Sequence, residues 1–159
     1  MDNKVFKNVI KKMLLQFEFN YYKNNTYYYG NEDSIIVINI QKSQWSNNDY
    51  YINYGMLLKN LHNDLNNPYI ADCDITARFY CETNGEKSFV YNIEILNEKL
   101  LEEIIRKNMI ETIEPIKEGG IKKYFEIYPQ AICTIKLKLK NYLGLWISTT
   151  TKPPHRQAW

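Results

Sequence analysis

The first segment of the chain has apolar residues at the spacing of an amphipathic helix. Over residues 3–18 the apolar positions recur every three or four residues: Phe6, Val9, Ile10, Met13, Leu14 and Phe17. Lys4, Lys7 and Lys11 fall on the opposite side. Because a period near 3.6 residues separates these sets onto two faces, the pattern predicts a helix that packs on an apolar surface and exposes its lysines.

The next region, after residue 18, has the composition of a β-hairpin followed by a third strand. Aromatic and β-branched residues dominate it, and they are interrupted by Asn24 and Asn25 and again by residues 31–33. Asparagine tolerates the left-handed backbone of tight turns. The pattern therefore predicts two short strands joined at the asparagine pair, and then a longer apolar strand.

Three more strands are predicted before residue 93. Residues 49–58 and 72–81 alternate in polarity, and a polar loop that contains Pro68 separates them. The Asn-Gly pair at residues 84–85 is a strong signal for a two-residue hairpin turn. This turn is expected to fold residues 86–92 back as a last strand.

Helices are predicted after the strands. Asn97 has the residue type of an N-cap, and the apolar stripe that follows it predicts a helix through residue 112 or 113. The stripe consists of Leu100, Leu101, Ile104, Ile105 and Met109. Pro115 is placed beyond the end of this helix, and the two glycines at residues 119–120 are expected to break the chain.

Residues 130–143 fit two structures. Cys133, Ile135, Leu137 and Leu139 alternate with polar residues, and this pattern slightly favours a strand. However, Ile132, Ile135, Leu139 and Leu143 also form a helical stripe. Pro129 suits the first turn of such a helix, and Gly144 suits the position after its end.

Length and element order predict one α+β domain over residues 1–148. The chain of 159 residues is in the range of a single domain, and it shows neither an internal repeat nor an interdomain linker. The predicted architecture is an N-terminal helix packed on an antiparallel meander of about five to six strands, followed by C-terminal helices. Residues 149–159 are polar and contain two prolines, so they are expected to be poorly ordered.

Taking every second residue along the predicted strands separates two faces of the sheet. The apolar face is expected to carry the N-terminal helix, and its members are Ile36, Ile38, Ile40, Ile52, Tyr54, Met56, Ile75, Ala77 and Phe79, with Cys73 and Cys81 at the flanks. The opposite face becomes polar toward one end, and this part is named the polar face. It contains Asn39, Gln41, Tyr51, Asn53, Thr76, Arg78 and Tyr80.

The polar face is the candidate binding site. Neutral amides and one guanidinium are groups that recognise a planar, hydrogen-bonding ligand or a peptide carboxylate. The alternative interpretation is that this face is only solvated, or that its polar groups satisfy neighbouring loops and helix ends. A replacement of Arg78 by glutamine discriminates between the two interpretations.

Catalytic and metal-binding chemistry has little support in the sequence. The motifs of serine hydrolases, P-loop proteins, dinucleotide-binding domains and zincins are absent. The three cysteines have no CxxC spacing, and only His62 and His155 are available as histidines. A nucleophile and base pair of Cys73 and His62 is a minor option, because such pairs need only spatial proximity. No cofactor and no metal are expected.

Charge and hydropathy favour neither a nucleic acid nor a membrane partner. The net charge is +2, and no apolar stretch of about 18 residues or signal-peptide pattern occurs, so a cytoplasmic protein is expected. Single-stranded nucleic acid is kept as a minor alternative, because tyrosines near lysines can stack on bases. These tyrosines include residues 21, 22, 27–29, 50 and 51.

The stretch NIQKSQWS, residues 39–46, is interpreted as part strand and part corner. Asn39 and Gln41 are placed on the polar face, and Ile40 on the apolar face. Trp45 is expected to cover the end of the core, with its ring buried and its N–H near the surface.

Four segments carry a resemblance to a known family: VFKNVIKKMLLQFEF, the Tyr-rich hairpin, VINIQKSQWSNNDYYINYGM and a strand with Cys73 and Arg78. Together, over residues 4–80, they resemble a family of small bacterial proteins classified only as a domain of unknown function. Weaker similarity continues through YFEIYPQAI to YLGL, where the family pattern is helical, and this favours the helix for residues 130–143. The family has a histidine at the position of Asp74, so any role of that histidine does not transfer to this chain.

These observations predict a non-enzymatic protein-binding module, of the immunity or toxin-neutralising kind. Tyrosine and tryptophan supply large contact areas at a low cost in side-chain entropy, which suits a protein interface. The alternatives are a small-ligand or single-stranded nucleic-acid binder that uses the polar face, and an enzyme of unrecognised type. The sequence gives no indication of the oligomeric state.

Overall fold

The structure is a computed structural model, and it describes residues 1–145. Its first helix, α1, spans Asn3–Gln16, close to the predicted 3–18. The carboxylate of Asp2 caps this helix by accepting hydrogen bonds from the backbone N–H groups of Lys4 and Val5, both at 2.8 Å. Five residues of the predicted apolar stripe are buried in the core: Phe6, Val9, Ile10, Met13 and Leu14. The sixth, Phe17, follows the helix as its C-cap and is partly buried.

Six strands form one antiparallel sheet on which α1 packs. The strands of the molecule are β1 (Asn20–Tyr21), β2 (Thr26–Gly30), β3 (Ser34–Lys42), β4 (Asp49–Leu58), β5 (Ile75–Arg78), β6 (Cys81–Thr83), β7 (Glu86–Ser88) and β8 (Tyr91–Asn92). Strands β1 to β5 follow one another in the sheet, and β8 pairs with the start of β4. The predicted α+β class, with an antiparallel meander of about six strands, is confirmed.

Two hairpin turns lie where the asparagines predicted them. Asn24 and Asn25, between β1 and β2, have φ angles of 50° and 56°. Asn84 and Gly85, between β6 and β7, have φ angles of 52° and 80°. This second hairpin forms a separate two-stranded ribbon, so only β8 returns from residues 86–92 to the main sheet.

The first two helices after the strands follow each other without a loop. Helix α2 (Glu98–Asn108) begins at Asn97, as predicted, and a π-helical segment (Met109–Ile113) joins it to α3 (Glu114–Ile127). Pro115 therefore lies inside α3 rather than beyond a helix, because the π segment already interrupts the regular hydrogen-bond pattern there. The predicted break occurs at Gly120, whose φ of 60° kinks α3.

Two helical segments account for most of residues 130–143. A 3₁₀ segment (Pro129–Cys133) leads to α4 (Leu137–Tyr142), so the strand suggested by local alternation is wrong and the helix favoured by the resemblance is right. Ile135 and Leu139 are buried in the main core, whereas Leu137 is exposed. The predicted domain end at residue 148 and the residues 149–159, which were expected to be poorly ordered, lie outside the described residues.

The two faces of the sheet are covered differently. The apolar face packs on α1, α2, α3 and α4 and forms the main core. On the opposite face, the segment between β4 and β5 covers one half of the sheet and encloses a second, smaller cluster of Ile35, Val37, Leu57 and Cys73. The other half of that face carries the predicted polar residues.

One predicted orientation is wrong. Cys73 was grouped with the apolar face but lies in the smaller cluster on the opposite face. The reason is that β5 begins only at Ile75, after a 3₁₀ turn (Ile70–Asp72), so the alternation of the strand does not extend back to Cys73. Cys81 lies in the main core, as predicted.

Candidate functional site

Four residues of the polar face form a connected chain across three strands. The amide of Asn53 on β4 donates to Gln41 Oε1 on β3 at 2.9 Å, and Arg78 Nε on β5 donates to Asn53 Oδ1 at 3.1 Å. The guanidinium of Arg78 lies over the ring of Tyr51, with Cζ 4.3 Å from the ring centroid. Because Asn53 satisfies both neighbours at once, it fixes the positions of Gln41 and Arg78.

This chain leaves hydrogen-bonding capacity unused. A guanidinium has five N–H donors and only Nε of Arg78 is engaged within the described residues, so its terminal nitrogens remain available to a partner. The ring of Tyr51 covers one side of the guanidinium plane and restricts its motion. Arg78 is therefore a positioned cation on an exposed surface.

Asn39 belongs to the same face but not to the same chain of bonds. It lies opposite Asn53 in the register of β3 and β4, yet its amide donates to Thr26 Oγ1 at 2.9 Å and to the carbonyl of Asn24 at 3.2 Å. These bonds fix the β1–β2 turn. The role of Asn39 is thus explained by local structure. It agrees with the alternative interpretation, in which polar groups of this face satisfy neighbouring loops.

Thr76 and Tyr80, the other two predicted site residues, lie at the β5 edge of the sheet. Together with Arg78 they line a cavity of about 360 Å³. The other residues that line this cavity are Tyr54, Ala77, Phe89, Tyr124, Tyr128, Gln130, Ala131 and Thr134. Tyr80 stacks on Phe89 with a centroid distance of 4.8 Å, instead of facing Tyr51. Burial raises the pKa of Tyr54 and Tyr124, so these phenols stay neutral and Arg78 is the charged side chain that lines this cavity.

Trp45 is a second residue that the sequence pattern placed wrongly. It was expected to be buried, but it is 94% exposed in the connection between β3 and β4. The hydroxyls of Ser43 and Ser46 accept hydrogen bonds from the backbone N–H groups of Trp45 and Asn48, so they shape this connection. The turn holds together without the indole, which is left free beside the end of the polar face that bears Gln41.

Asp74 is a buried carboxylate whose structural role the sequence pattern did not predict. Its side chain is almost inaccessible, and it accepts hydrogen bonds from the backbone N–H of Leu58 at 2.9 Å and from His62 Nε2 at 2.8 Å. The proposed pair of Cys73 and His62 is not formed, because Cys73 Sγ donates to the carbonyl of Tyr69 and His62 is occupied by Asp74. Within residues 1–145, no cluster of three or more His, Cys, Asp or Glu side chains is arranged to hold a metal ion.

The cysteines are expected to differ in reactivity. Burial raises the pKa of Cys73 to about 12 and that of Cys81 to about 11, whereas Cys133 is exposed. We therefore expect iodoacetamide at pH 8 to modify only Cys133 in the native protein and all three cysteines after denaturation. Mass spectrometry of the modified peptides measures this, and rapid native labelling of Cys73 would contradict the buried position.

The family model decides the family of this chain. The model of DUF4304, described as a domain of unknown function, matches residues 10–119, more than two thirds of the chain. The chain belongs to this family. The DUF4304 match begins within α1 and ends one residue before the kink at Gly120, so the whole polar face lies inside it. Residues 120–145, which include α4, follow the matched span.

Comparisons of this DUF4304 chain with curated proteins and with solved structures found no match. Among the helices of the described residues, none is both long enough and apolar enough to cross a membrane. The function has therefore to be argued from the site itself.

Proposed function

We propose that this protein acts by binding another protein, and that the polar face together with Trp45 forms the contact surface. The observation that carries the proposal is the exposed indole of Trp45, in the connection that follows the strand of Gln41, together with the fixed, partly unsatisfied Arg78 that Asn53 links to Gln41. Tryptophan, tyrosine and arginine are the residue types that dominate binding energies at protein interfaces. Because the fold does not use this indole for packing, its contact area is available to a partner.

The fixed geometry of the polar face supports the same proposal. Side chains that are already held by hydrogen bonds lose little conformational freedom on binding, so more of the contact energy appears as affinity. The Gln41–Asn53–Arg78 chain and the stacked Tyr51 meet this condition in the free protein.

The finer proposal concerns the kind of partner. A small domain without a recognised catalytic motif, and with an exposed aromatic and a positioned cation, fits an immunity or toxin-neutralising protein. Co-expression with the product of the adjacent gene tests this. The proposed role predicts that this protein suppresses the toxicity of that product, and a complete failure to suppress it would rule the role out.

The binding proposal itself is tested by affinity purification from the natural host, with three variants. We expect the wild-type protein to retain one partner near 1:1 stoichiometry, and the replacements Trp45→Ala and Arg78→Gln to lower its recovery about tenfold or more, as for interface hot spots. Ile95→Ala is the matched control, because Ile95 is also an exposed apolar side chain, at 67%, but lies in the connection between β8 and α2. It should retain the partner fully.

Folding of the variants has to be shown by thermal unfolding. Trp45 makes few contacts in the free protein, so its replacement should change the free energy of unfolding by no more than about 0.5 kcal/mol. A partner that all four proteins retain equally would show that this surface is not the interface. Recovery of no stoichiometric partner by the wild type would contradict the proposed function.

A further inference from the structure

The outer edge of β5 has unpaired backbone groups. In the register of β4 and β5, Arg78 lies opposite Asn53 and Ala77 lies opposite Tyr54, and the Phe79 N–H donates to the Ile52 carbonyl. In an antiparallel pair, alternate residues direct their N–H and C=O groups to the partner strand. Ile75, Ala77 and Phe79 therefore pair with β4, whereas Thr76 and Arg78 direct theirs outward. Within residues 1–145, no other strand pairs with this edge.

A groove runs along this edge, between β5 and the segment from Tyr128 to Lys136. It consists of the cavity of about 360 Å³ described above and a neighbouring cavity of about 190 Å³, which share Thr76, Tyr124, Ala131 and Thr134. Tyr80 and Phe89 close one end with their stacked rings. The outward backbone groups of Thr76 and Arg78 thus border an open space, which is named the β5 groove.

The charges around the β5 groove are those that attract a carboxylate. Arg78 is the charged residue that lines the larger cavity. Lys136 lines the smaller one, and its ammonium donates to the carbonyls of Ala71 and Asp72. Asp74 also borders the smaller cavity, but its carboxylate is buried and already accepts from Leu58 N–H and His62. The accessible charge of the groove is therefore positive.

We propose that the β5 groove binds an extended acidic segment of the partner protein, which adds to the sheet as a strand beside β5. The backbone of the segment pairs with the outward N–H and C=O groups of Thr76 and Arg78, as in other cases of β-strand addition. An Asp or Glu side chain of the segment reaches the terminal nitrogens of Arg78, and an apolar side chain enters between Tyr80 and Tyr128. This inference rests on the proposed function and specifies the form of the partner.

A proline substitution separates the edge from the rest of the protein. Proline removes an N–H, and it is tolerated on edge strands where that N–H faces outward. Thr76→Pro should therefore keep the fold and lose the outward backbone N–H of residue 76. Thr76→Val is the matched control and should keep both the fold and this N–H. Circular dichroism and thermal unfolding verify the fold of each variant.

The experiment selects peptides from a phage-displayed library of random 12-residue sequences on the purified wild-type protein. We expect enriched peptides that alternate β-branched residues with an acid. Their affinity, measured by fluorescence anisotropy, should fall about tenfold or more in Thr76→Pro and in Arg78→Gln, as expected for loss of a central contact, and stay unchanged in Thr76→Val. Equal binding to Thr76→Pro and Thr76→Val, or no enrichment, would overturn the proposal.

A second measurement does not depend on the folding of the proline variant. N-methylation of single backbone amides of an enriched peptide should abolish binding at every second position only, because alternate N–H groups of an added strand face β5. Loss of binding on N-methylation without this alternation would contradict strand addition. A wild-type dimer that dissociates when the peptide binds would assign the edge to pairing between two copies of this chain.

The two proposals fail in different ways. A host partner that Thr76→Pro retains as well as the wild type does would overturn the strand-addition site and leave the protein-binding function standing. Peptides that bind the groove in the absence of any stoichiometric host partner would contradict the function and leave the site standing.

Discussion

Replacement of Phe6 by alanine is expected to lower the free energy of unfolding by about 3–5 kcal/mol, the cost of removing a large buried aromatic side chain. Phe6 is fully buried, and its ring lies 4.6 Å from that of Tyr50 and 6.4 Å from that of Tyr91, centroid to centroid. It therefore connects α1 to the paired ends of β4 and β8. Loss of the ring leaves a cavity between layers that α1 cannot fill by a small shift.

Urea denaturation followed by circular dichroism measures this effect. Leu15→Ala is the control on the same helix, because Leu15 is 49% exposed and its replacement should cost about 1 kcal/mol or less. Similar losses for Phe6→Ala and Leu15→Ala would show that α1 is not packed on the sheet by the face described.

Replacement of Asp74 by alanine is expected to cost about 3 kcal/mol, because it leaves a buried backbone donor and a histidine without their acceptor. The Asp74 carboxylate joins the Leu58 N–H at the end of β4 to His62 in the following segment. It thereby fixes the start of the covering segment over the smaller cluster of the second face. His62→Ala should cost less, since the ring is 20% exposed and Asp74 keeps its bond to Leu58.

Chemical denaturation of the two single variants and the double variant forms a cycle that isolates the coupling between Asp74 and His62. Asp64→Ala serves as the control, because Asp64 is an exposed carboxylate in the same segment and should change stability by no more than about 0.5 kcal/mol. An Asp74→Ala variant as stable as Asp64→Ala would mean that the buried carboxylate is not needed to hold this segment.

The periodic elements could be predicted from the sequence. Strand β4 has the predicted bounds of 49–58, and α1 ends two residues before the predicted end. Burial of one side of a helix or strand imposes its period directly on the residues, so these elements can be recognised in a single chain. The same period places Gln41, Asn53 and Arg78 on one face, and the structure joins them there by hydrogen bonds.

The errors lie where periodicity ends. Cys73 precedes a strand, Trp45 lies in a connection and Pro115 follows a π segment. In residues 130–143, alternation and a helical stripe coexist, and the choice depends on contacts of Ile135 and Leu139 with distant parts of the core. Local sequence carries no record of such contacts, because they join residues far apart along the chain.

The sequence by itself therefore determined the α+β class, the N-terminal helix, the asparagine turns and the division of the sheet into an apolar and a polar face. These features follow from short-range backbone preferences and from the burial of one side of each element. Only the tertiary structure decided that Trp45 is free, that Asn53 joins Gln41 to Arg78, and that the outer edge of β5 borders a groove. Each of these depends on which strands are neighbours and on what the C-terminal helices cover, and that is settled by packing of the whole chain.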